Sequence, residues 1–306
     1  MAEITASKVK ELREKTGAGM MDAKKALVEN GGDMDAAVDW LRTKGLAKAA
    51  KKSGRTAADG LVAIAIDGTE GAVVEVNSET DFVARNEEFQ NFVKSVAEKA
   101  QGVENAEELA GRELAAGKTV AESLTDLVAK IGENMTLRRA QSIKVSSGAV
   151  VGYVHGSLGD NIGKIGVLVA LESDASADAL QAVGKQLAMH IAAANPQFLS
   201  PDSVDPEVAE REKSVLIEQA KAEGKPQEIA EKMVQGRMQK FFKEICLTEQ
   251  IFVIDGETKV ADVIANAAKE AGSDIKLTGY IRVQLGEGIE KEEEDFAAEV
   301  AKAANG

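Results

Sequence analysis

Twice along this chain, two alternating apolar runs are followed by a stretch of helical period and then by a further strand-like run. This recurrence constrains the fold most. Two period-2 runs joined by a short turn pair as a hairpin, and the apolar face of that hairpin needs a helix or a second sheet to cover it. In "LVAIAIDGTEGAVVEV", Val62, Ile64 and Ile66 alternate with smaller residues, and Val74 and Val76 do the same beyond a "DG" turn. A helix follows with Phe89, Phe92, Val93, Val96 and Ala100 at helical spacing. Residues 102–132 read as further helices, and "TLRRAQSIKV" (Thr136 to Val145) as a closing strand. The second hairpin is "VVGYVHGSLGDNIGKIGVLVAL", with Ile165, Val167, Val169 and Leu171 on one face. Its helix turns Leu180, Val183, Leu187 and Ile191 inward and ends at Asn195 and Pro196, while the closing strand "TGYIRVQL" arrives only near residue 280. The shared order without close identity predicts an α+β fold with an internally duplicated strand–strand–helix–strand core.

Around this core the chain divides into further pieces. Residues 1–54 predict a three-helix unit: Val9 and Leu12 on a first helix, Met20, Ala23, Leu27 and Val28 on a second, and Ala37, Trp40 and Leu41 on a third capped by Asp33. "KKSGRTAADG" then reads as an exposed linker. Residues 55–147 form a first core subdomain, and 148–200 with 246–286 a second. Between the parts of the second lies an insertion, 201–245, whose two charged helices are separated by Gly224, with Pro226 near the first turn of the latter. Such a hairpin buries little by itself, so it lies back on the core or meets a partner. Residues 287–306 read as a C-terminal helical module.

Composition closes off several kinds of chemistry. A single cysteine, Cys246, excludes an internal disulfide and any cysteine-based metal cluster. With only His155 and His190 there is no Ser/His/Asp or Cys/His set and no histidine metal spacing. His190 lies seven residues after Val183, at the edge of a core stripe, and reads as a satisfied, half-buried side chain. His155 shares a strand face with Val151 and Tyr153; if Val150 and Val154 face the core, His155 is exposed. "GSLGDNIGKIG" resembles a phosphate loop but fails it, because Gly159 to Gly163 is one residue short, Ile165 replaces the hydroxyl residue, and a strand follows. It reads as a hairpin loop. The acidic run from Glu290 to Phe296 reads as a solvated face. A net charge of −14 disfavours a direct nucleic-acid partner, and the locally basic Lys44 to Arg55 reads as a solvated helix end. Neither a long apolar run nor an apolar signal core is present, so the chain is expected to be cytoplasmic, without cofactor, metal or membrane partner.

One stretch, "NSETDFVARNEEF", is ambiguous. Thr80 or Asp81 can cap a helix, and Phe82 lies seven residues before Phe89. A continuous helix therefore puts both phenylalanines on one inward face. "ARNEE" supplies a second start, however, with Asn86 as cap and Glu87 and Glu88 in the first turn. A break there leaves "TDFV" as a separate turn and Phe82 as an exposed aromatic of the kind that dominates interfaces.

"SETDFVARN", preceded by its hairpin, is similar to the signature of bacterial elongation factor Ts. "ITASKVKELREKTGAGMMDAKKAL", "MHIAAANPQFL", "GKPQEIAEKMVQGRM" and "GEGIEK" resemble that family too, in the right order over nearly the whole chain. The chain departs from the family at Ser78, where cysteine is common, at Gln235, where glutamate is usual, and at Ile251, where proline is frequent. The resemblance implies a guanine-nucleotide exchange factor for elongation factor Tu, in its GDP-bound and nucleotide-free forms. It implies a ubiquitin-associated-like N-terminal unit, and a helical hairpin used to form a homodimer or a two-plus-two complex. Thr80, Asp81, Phe82 and Val83 would enter beside the partner's magnesium site, with Phe82 wedged between helices and the ion dislodged. Met20, Met21 and Lys24, then Ile131, Gly132 and His155, and more weakly Val253, would add contacts. The rival reading is a scaffold or chaperone that binds elongation factor Tu without changing exchange.

Overall fold

A computed structural model describes residues 4–290 except 17, 116 and 225. Of the expected C-terminal helical module over 287–306, residues 287–290 are described and form a turn and irregular chain rather than helix, while the rest, with most of its acidic run, lies outside the described residues. The chain begins with three helices: α1 (Ala6–Thr16), α2 (Met20–Glu29) and α3 (Met34–Lys52). The Asp33 carboxylate accepts from the Ala36 N–H and so caps α3, as its position predicts. The unit's buried residues are Val9, Leu12, Ala23, Ala26, Leu27 and Ala37, with Trp40 and Leu41 half-buried against them. Met20 and Val28 do not join this core; both are exposed. Met20 is the first residue of α2 and projects beyond the packed turns, whereas Val28 is rotated about 100° from Leu27 and faces away.

The first half of the core comprises β1 (Asp59–Asp67), β2 (Glu70–Ser78), α4 (Asp81–Ala84), α5 (Glu87–Glu98), α6 (Ala106–Ala110), β3 (Glu113–Ala115), β4 (Lys118–Thr119), α7 (Val120–Ile131) and β5 (Met135–Lys144). The expectation of helices alone over 102–132 is thus corrected by the small β3–β4 hairpin, two strands too short to show any period. The second half runs β6 (Gly148–His155), β7 (Ile162–Gly163), β8 (Ile165–Ser173) and α8 (Ala177–Ala194). There follow the helical hairpin α9 (Pro206–Ala222) and α10 (Gln227–Ile245), then α11 (Val260–Ala271) and β9 (Ile275–Gln284).

One sheet has the order β5-β2-β1-β7 and another the order β6-β8-β9, all antiparallel. Their inner faces meet through Val62, Ile64 and Val73 from one sheet and Val150, Leu168 and Val283 from the other. Phe89, Val93, Val96 and Ala97 of α5 cover the outer face of the first sheet. Leu180, Val183, Leu187 and Ile191 of α8, with α11 beside them, cover that of the second. The layers therefore run helix, sheet, sheet, helix.

The two halves share geometric details beyond their order. A helix precedes each closing strand, and each helix ends on a left-handed glycine, Gly132 after α7 and Gly272 after α11. Each closing strand shifts register once, opposite Glu75/Val76 in one sheet and Ala170/Leu171 in the other. Gly60 and Gly148, at φ +120° and +114°, lie so close to the neighbouring strand that a Cβ would fall 2.2 Å and 2.1 Å from a carbonyl oxygen.

The glycine-rich loop does more than connect a hairpin. It contributes β7, in which Ile162 and Gly163 pair with Ala63 and Val62 of β1. Ile162 is fully buried in the core of the first half, so the second half's loop completes the first half's sheet.

The basic segment at the end of α3 is not wholly solvated. Lys44 and Lys48 both bridge Asp22, and Arg42 pairs with Glu122 of α7. Along the same contact Gly45 lies against Ala129. The helical hairpin closes on itself through Leu216, Ala220 and Val234, leaving Val208, Val215 and Ile229 exposed. Cys246 is buried at its base.

Glu75 is fully buried at the rim of the inter-sheet layer. The bulge in β5 breaks strand alternation, which lets consecutive residues Arg138 and Arg139 reach the same carboxylate. The Gly286 N–H donates to it at 2.7 Å and Asn77 at 3.0 Å. Burial alone would raise the carboxyl pKa, but these donors together hold it below the ordinary glutamate value. The late "GEG" segment is thereby tied to the first sheet.

The close approach of the sheets sets a stability test. A Cβ on Gly166 would sit 2.7 Å from Val62 Cγ1 and 3.1 Å from both Ile64 and Val73. Gly166→Val should destabilise the protein by about 2 kcal/mol, read as a lowered urea midpoint at unchanged slope; an unchanged midpoint would show that the layer can expand.

Candidate functional site

The strand β2 delivers the chain to Ser78, and a single helical turn, α4, follows before a new helix begins. Asn86 separates the two helices. Its side chain accepts from the Glu88 and Phe89 N–H groups and starts α5, while the Arg85 and Asn86 N–H groups close α4 on the Phe82 and Val83 carbonyls. Phe82 and Phe89 therefore do not share a face. Phe89 is fully buried and Phe82 is 77% exposed, so the core position suggested by seven-residue spacing is corrected by the break at Asn86.

The turn is held from both sides. Val83 and Ala84 are buried in the first core, and Gln90 Nε2 donates to the Ala84 carbonyl at 2.9 Å. Val83 is thus an inward-facing support of the segment, and Asp81 and Phe82 are its exposed residues. Upstream, the Thr80 N–H and hydroxyl donate to the two Glu133 carboxylate oxygens at 3.0 Å and 2.7 Å. The reciprocal contact also exists: the Asn134 N–H donates to Glu79. Asn134 Nδ2 meets the Arg55 carbonyl at 2.7 Å, and the Arg55 guanidinium bridges Glu79 at 3.3 Å. Ile131 and Gly132 immediately precede this cross-link, where left-handed Gly132 turns the chain out of α7 into β5. The structure therefore brings Ile131 and Gly132 to the Thr80–Val83 turn. Sequence reading missed Glu133 and Glu79; the only local signal is a carboxylate directly after a helix-ending glycine.

The other expected site residues are distributed elsewhere. Met20, Met21 and Lys24 are exposed on α2. His155 is exposed at the end of β6, and its Nδ1 lies 3.1 Å from the Tyr153 hydroxyl. The reason differs from the expected one: Val151 and Tyr153 pack beneath α8 while Val150 and Val154 pack between the sheets, so both faces of β6 are covered and His155 is exposed because the strand ends there. Val253 is half exposed and lies between buried Phe252 and half-exposed Ile254, with Ile251 also half exposed. Among the described residues, no hydrogen bond or ion pair joins these residues to the turn.

His190 is fully buried, not half-buried. The Val253 N–H donates to its Nδ1 at 3.2 Å, which places the ring proton on Nε2, 2.9 Å from the Gln250 carbonyl oxygen. Burial lowers its pKa below the ordinary histidine value, with the Gln250 hydrogen bond opposing. The folded state thus resists a proton that the unfolded state accepts near pH 6.5. Stability from this site should be complete above that pH and decline as pH falls below it, by at most about 1.4 kcal/mol per unit. Unfolding free energies measured from pH 7.5 to 5 should show a shallower slope for His190→Asn than for the parent chain; equal slopes would remove His190 as the source.

No group of three or more His, Cys, Asp or Glu side chains among the described residues is placed to hold a metal ion, and no described helix is long and apolar enough to cross a membrane. What the fold displays at this place is an exposed aromatic residue on a turn pinned at both ends. The family model "Elongation factor TS" matches residues 79–287. Among curated relatives, the chain is 62% identical to elongation factor Ts of Rhizorhabdus wittichii over all of both chains. It is 60% identical to that of Sphingopyxis alaskensis over 99% of each, and 60% identical to that of Rhodospirillum centenum over 99% of this chain and all of the relative. The chain belongs to the elongation factor Ts family, the nucleotide exchange factors of elongation factor Tu.

Proposed function

We propose that this chain promotes GDP release from elongation factor Tu by presenting the Thr80–Val83 turn beside the partner's magnesium site, with Phe82 as the inserted wedge. The observation that carries the reading is the exposure of Phe82 on a turn whose next two residues are buried. A large apolar side chain held out in water by a fixed backbone loses little conformational entropy when a partner covers it. Asp81, also exposed, brings a negative charge to the same place, and Val83 supports the turn from within.

The thermodynamics need no catalytic group and no cofactor of this chain's own. A factor that binds the nucleotide-free partner best must weaken nucleotide binding, and nucleotide weakens binding of the factor by the same ratio. Disturbing magnesium suits that end, since the ion neutralises phosphate charge and clamps the nucleotide. Met20, Met21 and Lys24 on α2, Ile131 and Gly132 beside the turn, His155 and Val253 supply further contact in this reading. All are exposed or half-buried.

In the same reading, residues 1–54 are a ubiquitin-associated-like unit and the two sheet-bearing halves are a duplication, which their matched bulges and glycines support. The helical hairpin joins copies into a dimer or a two-plus-two complex. The setting is translation elongation in the cytoplasm, with no direct nucleic-acid contact.

Release of labelled GDP from elongation factor Tu, with and without catalytic amounts of this protein, tests the reading. Phe82→Ala should cost the complex about 2 kcal/mol or more while leaving folding intact. Full stimulation by that variant would remove Phe82 as the wedge. Binding without any stimulation by the parent chain would establish the scaffold alternative.

A further inference from the structure

We infer that Glu133 is a positioning residue for exchange: its carboxylate clamps the Thr80 end of the turn and so holds Phe82 ready for the partner, an inference that rests on the wedge reading above. The geometry is two-pronged. One carboxylate oxygen takes the Thr80 N–H at 3.0 Å and the other takes the Thr80 hydroxyl at 2.7 Å. Thr80 is the residue before α4, and its own side chain does not cap that turn; the hydroxyl is committed to Glu133 instead. A four-residue turn has no helical stability of its own, so its direction depends on what holds its ends. Val83 and Ala84 hold the downstream end by burial. Upstream, Glu133 is the side chain that binds both the backbone and the side chain of the entry residue.

Glu133 cannot swing away easily. It is half-buried and lies between Gly132, at φ +90°, and Asn134, whose N–H and side chain are bound to Glu79 and Arg55. The two segments thus exchange carboxylates, Glu79 to the backbone of Asn134 and Glu133 to the backbone of Thr80. Hydrogen bonds to an ionised acceptor are the stronger kind, and two from one residue fix an orientation as well as a distance. Without them the remaining side-chain bond at that end is the one the Ser78 hydroxyl donates to the Thr80 carbonyl at 3.0 Å; the turn would pivot more freely about its buried end, and the partner would have to order it on binding.

The test separates the clamp from the wedge. With Trp40→Phe and Phe82→Trp together, the only tryptophan reports the turn, and time-resolved anisotropy reads its local motion without any partner. Adding Glu133→Ala should roughly double the amplitude of nanosecond motion, with Glu133→Gln intermediate because one acceptor remains. In chains that keep Phe82, Glu133→Ala should lower stimulated GDP release about tenfold, again with Glu133→Gln intermediate. Circular dichroism and the unfolding midpoint confirm the fold; if Glu133→Ala fails to fold, Thr80→Val removes the hydroxyl arm from the other side. Unchanged anisotropy in a folded variant would overturn the clamp, whatever the exchange rate. Greater motion with undiminished exchange would leave the clamp as structure alone and overturn its part in exchange. If Phe82→Ala is itself fully active while the anisotropy responds as expected, the failure belongs to the wedge reading.

Discussion

The contact on which the molecule depends is the meeting of two sheets across glycines. Gly71, Gly152 and Gly166 lie where a Cβ would fall under 3 Å from side chains of the facing sheet. Val62, Ile64, Val73, Val150 and Leu168 fill the layer that these missing side chains leave. Dispersion and apolar burial reward such close approach, and they fall off steeply when a gap opens. Because the inner faces are spent on each other, each outer face needs its own helix. α5 and α8 meet that need, and the turn carrying Phe82 is fixed as the lead-in to α5.

Electrostatics then secure what packing leaves loose. Glu75 joins the bulged β5 to the end of β9 through two arginines and the Gly286 N–H. Buried charge pairs of this kind are weak sources of net stability but costly to break singly. Their effect here is to specify how the last described strand meets the first sheet. The Glu79–Asn134 and Glu133–Thr80 exchange does similar work a few residues on, just beyond the C-terminal end of β2, and Arg55 brings the linker from the helical unit into the same set of bonds.

Much of this was legible in the residues. The period-2 hairpins, the α5 and α8 stripes, the Asp33 and Asn86 caps and the late closing strand all follow from local pattern, and local pattern is what periodicity and capping rules record. For Phe82 two local rules disagreed, seven-residue spacing against a second cap, and the cap prevailed because it satisfies backbone donors that an unbroken helix would not leave free. β7, β3 and β4 escaped because strands of two or three residues carry no period; β3 and β4 pair only with each other across a short turn, and β7 exists through its distant partner β1. Glu133 and the partners of His190, itself read correctly as a satisfied side chain, escaped for a related reason. The roles of Glu133 and His190 are set by Thr80 and by Val253 with Gln250, each more than 50 residues away, and no local rule records such a contact.

The loop strand β7 and the late arrival of β9 also govern the order in which the chain can fold as it is made. β1, β2 and β5 lie within residues 59–144, so three strands of the first sheet can pair early, with β7 joining them once residue 163 has emerged. β8 waits for β9, and more than 100 residues separate the two, with the α9–α10 hairpin between them. Pairings across such distances are slow to close. During that interval the emerging chain carries a half-built second sheet with one ladder edge open, a hazard for association with other chains. The self-closing hairpin within the interval shortens the effective distance, since its two helices pack on each other and bring residues 206 and 245 back toward a common base.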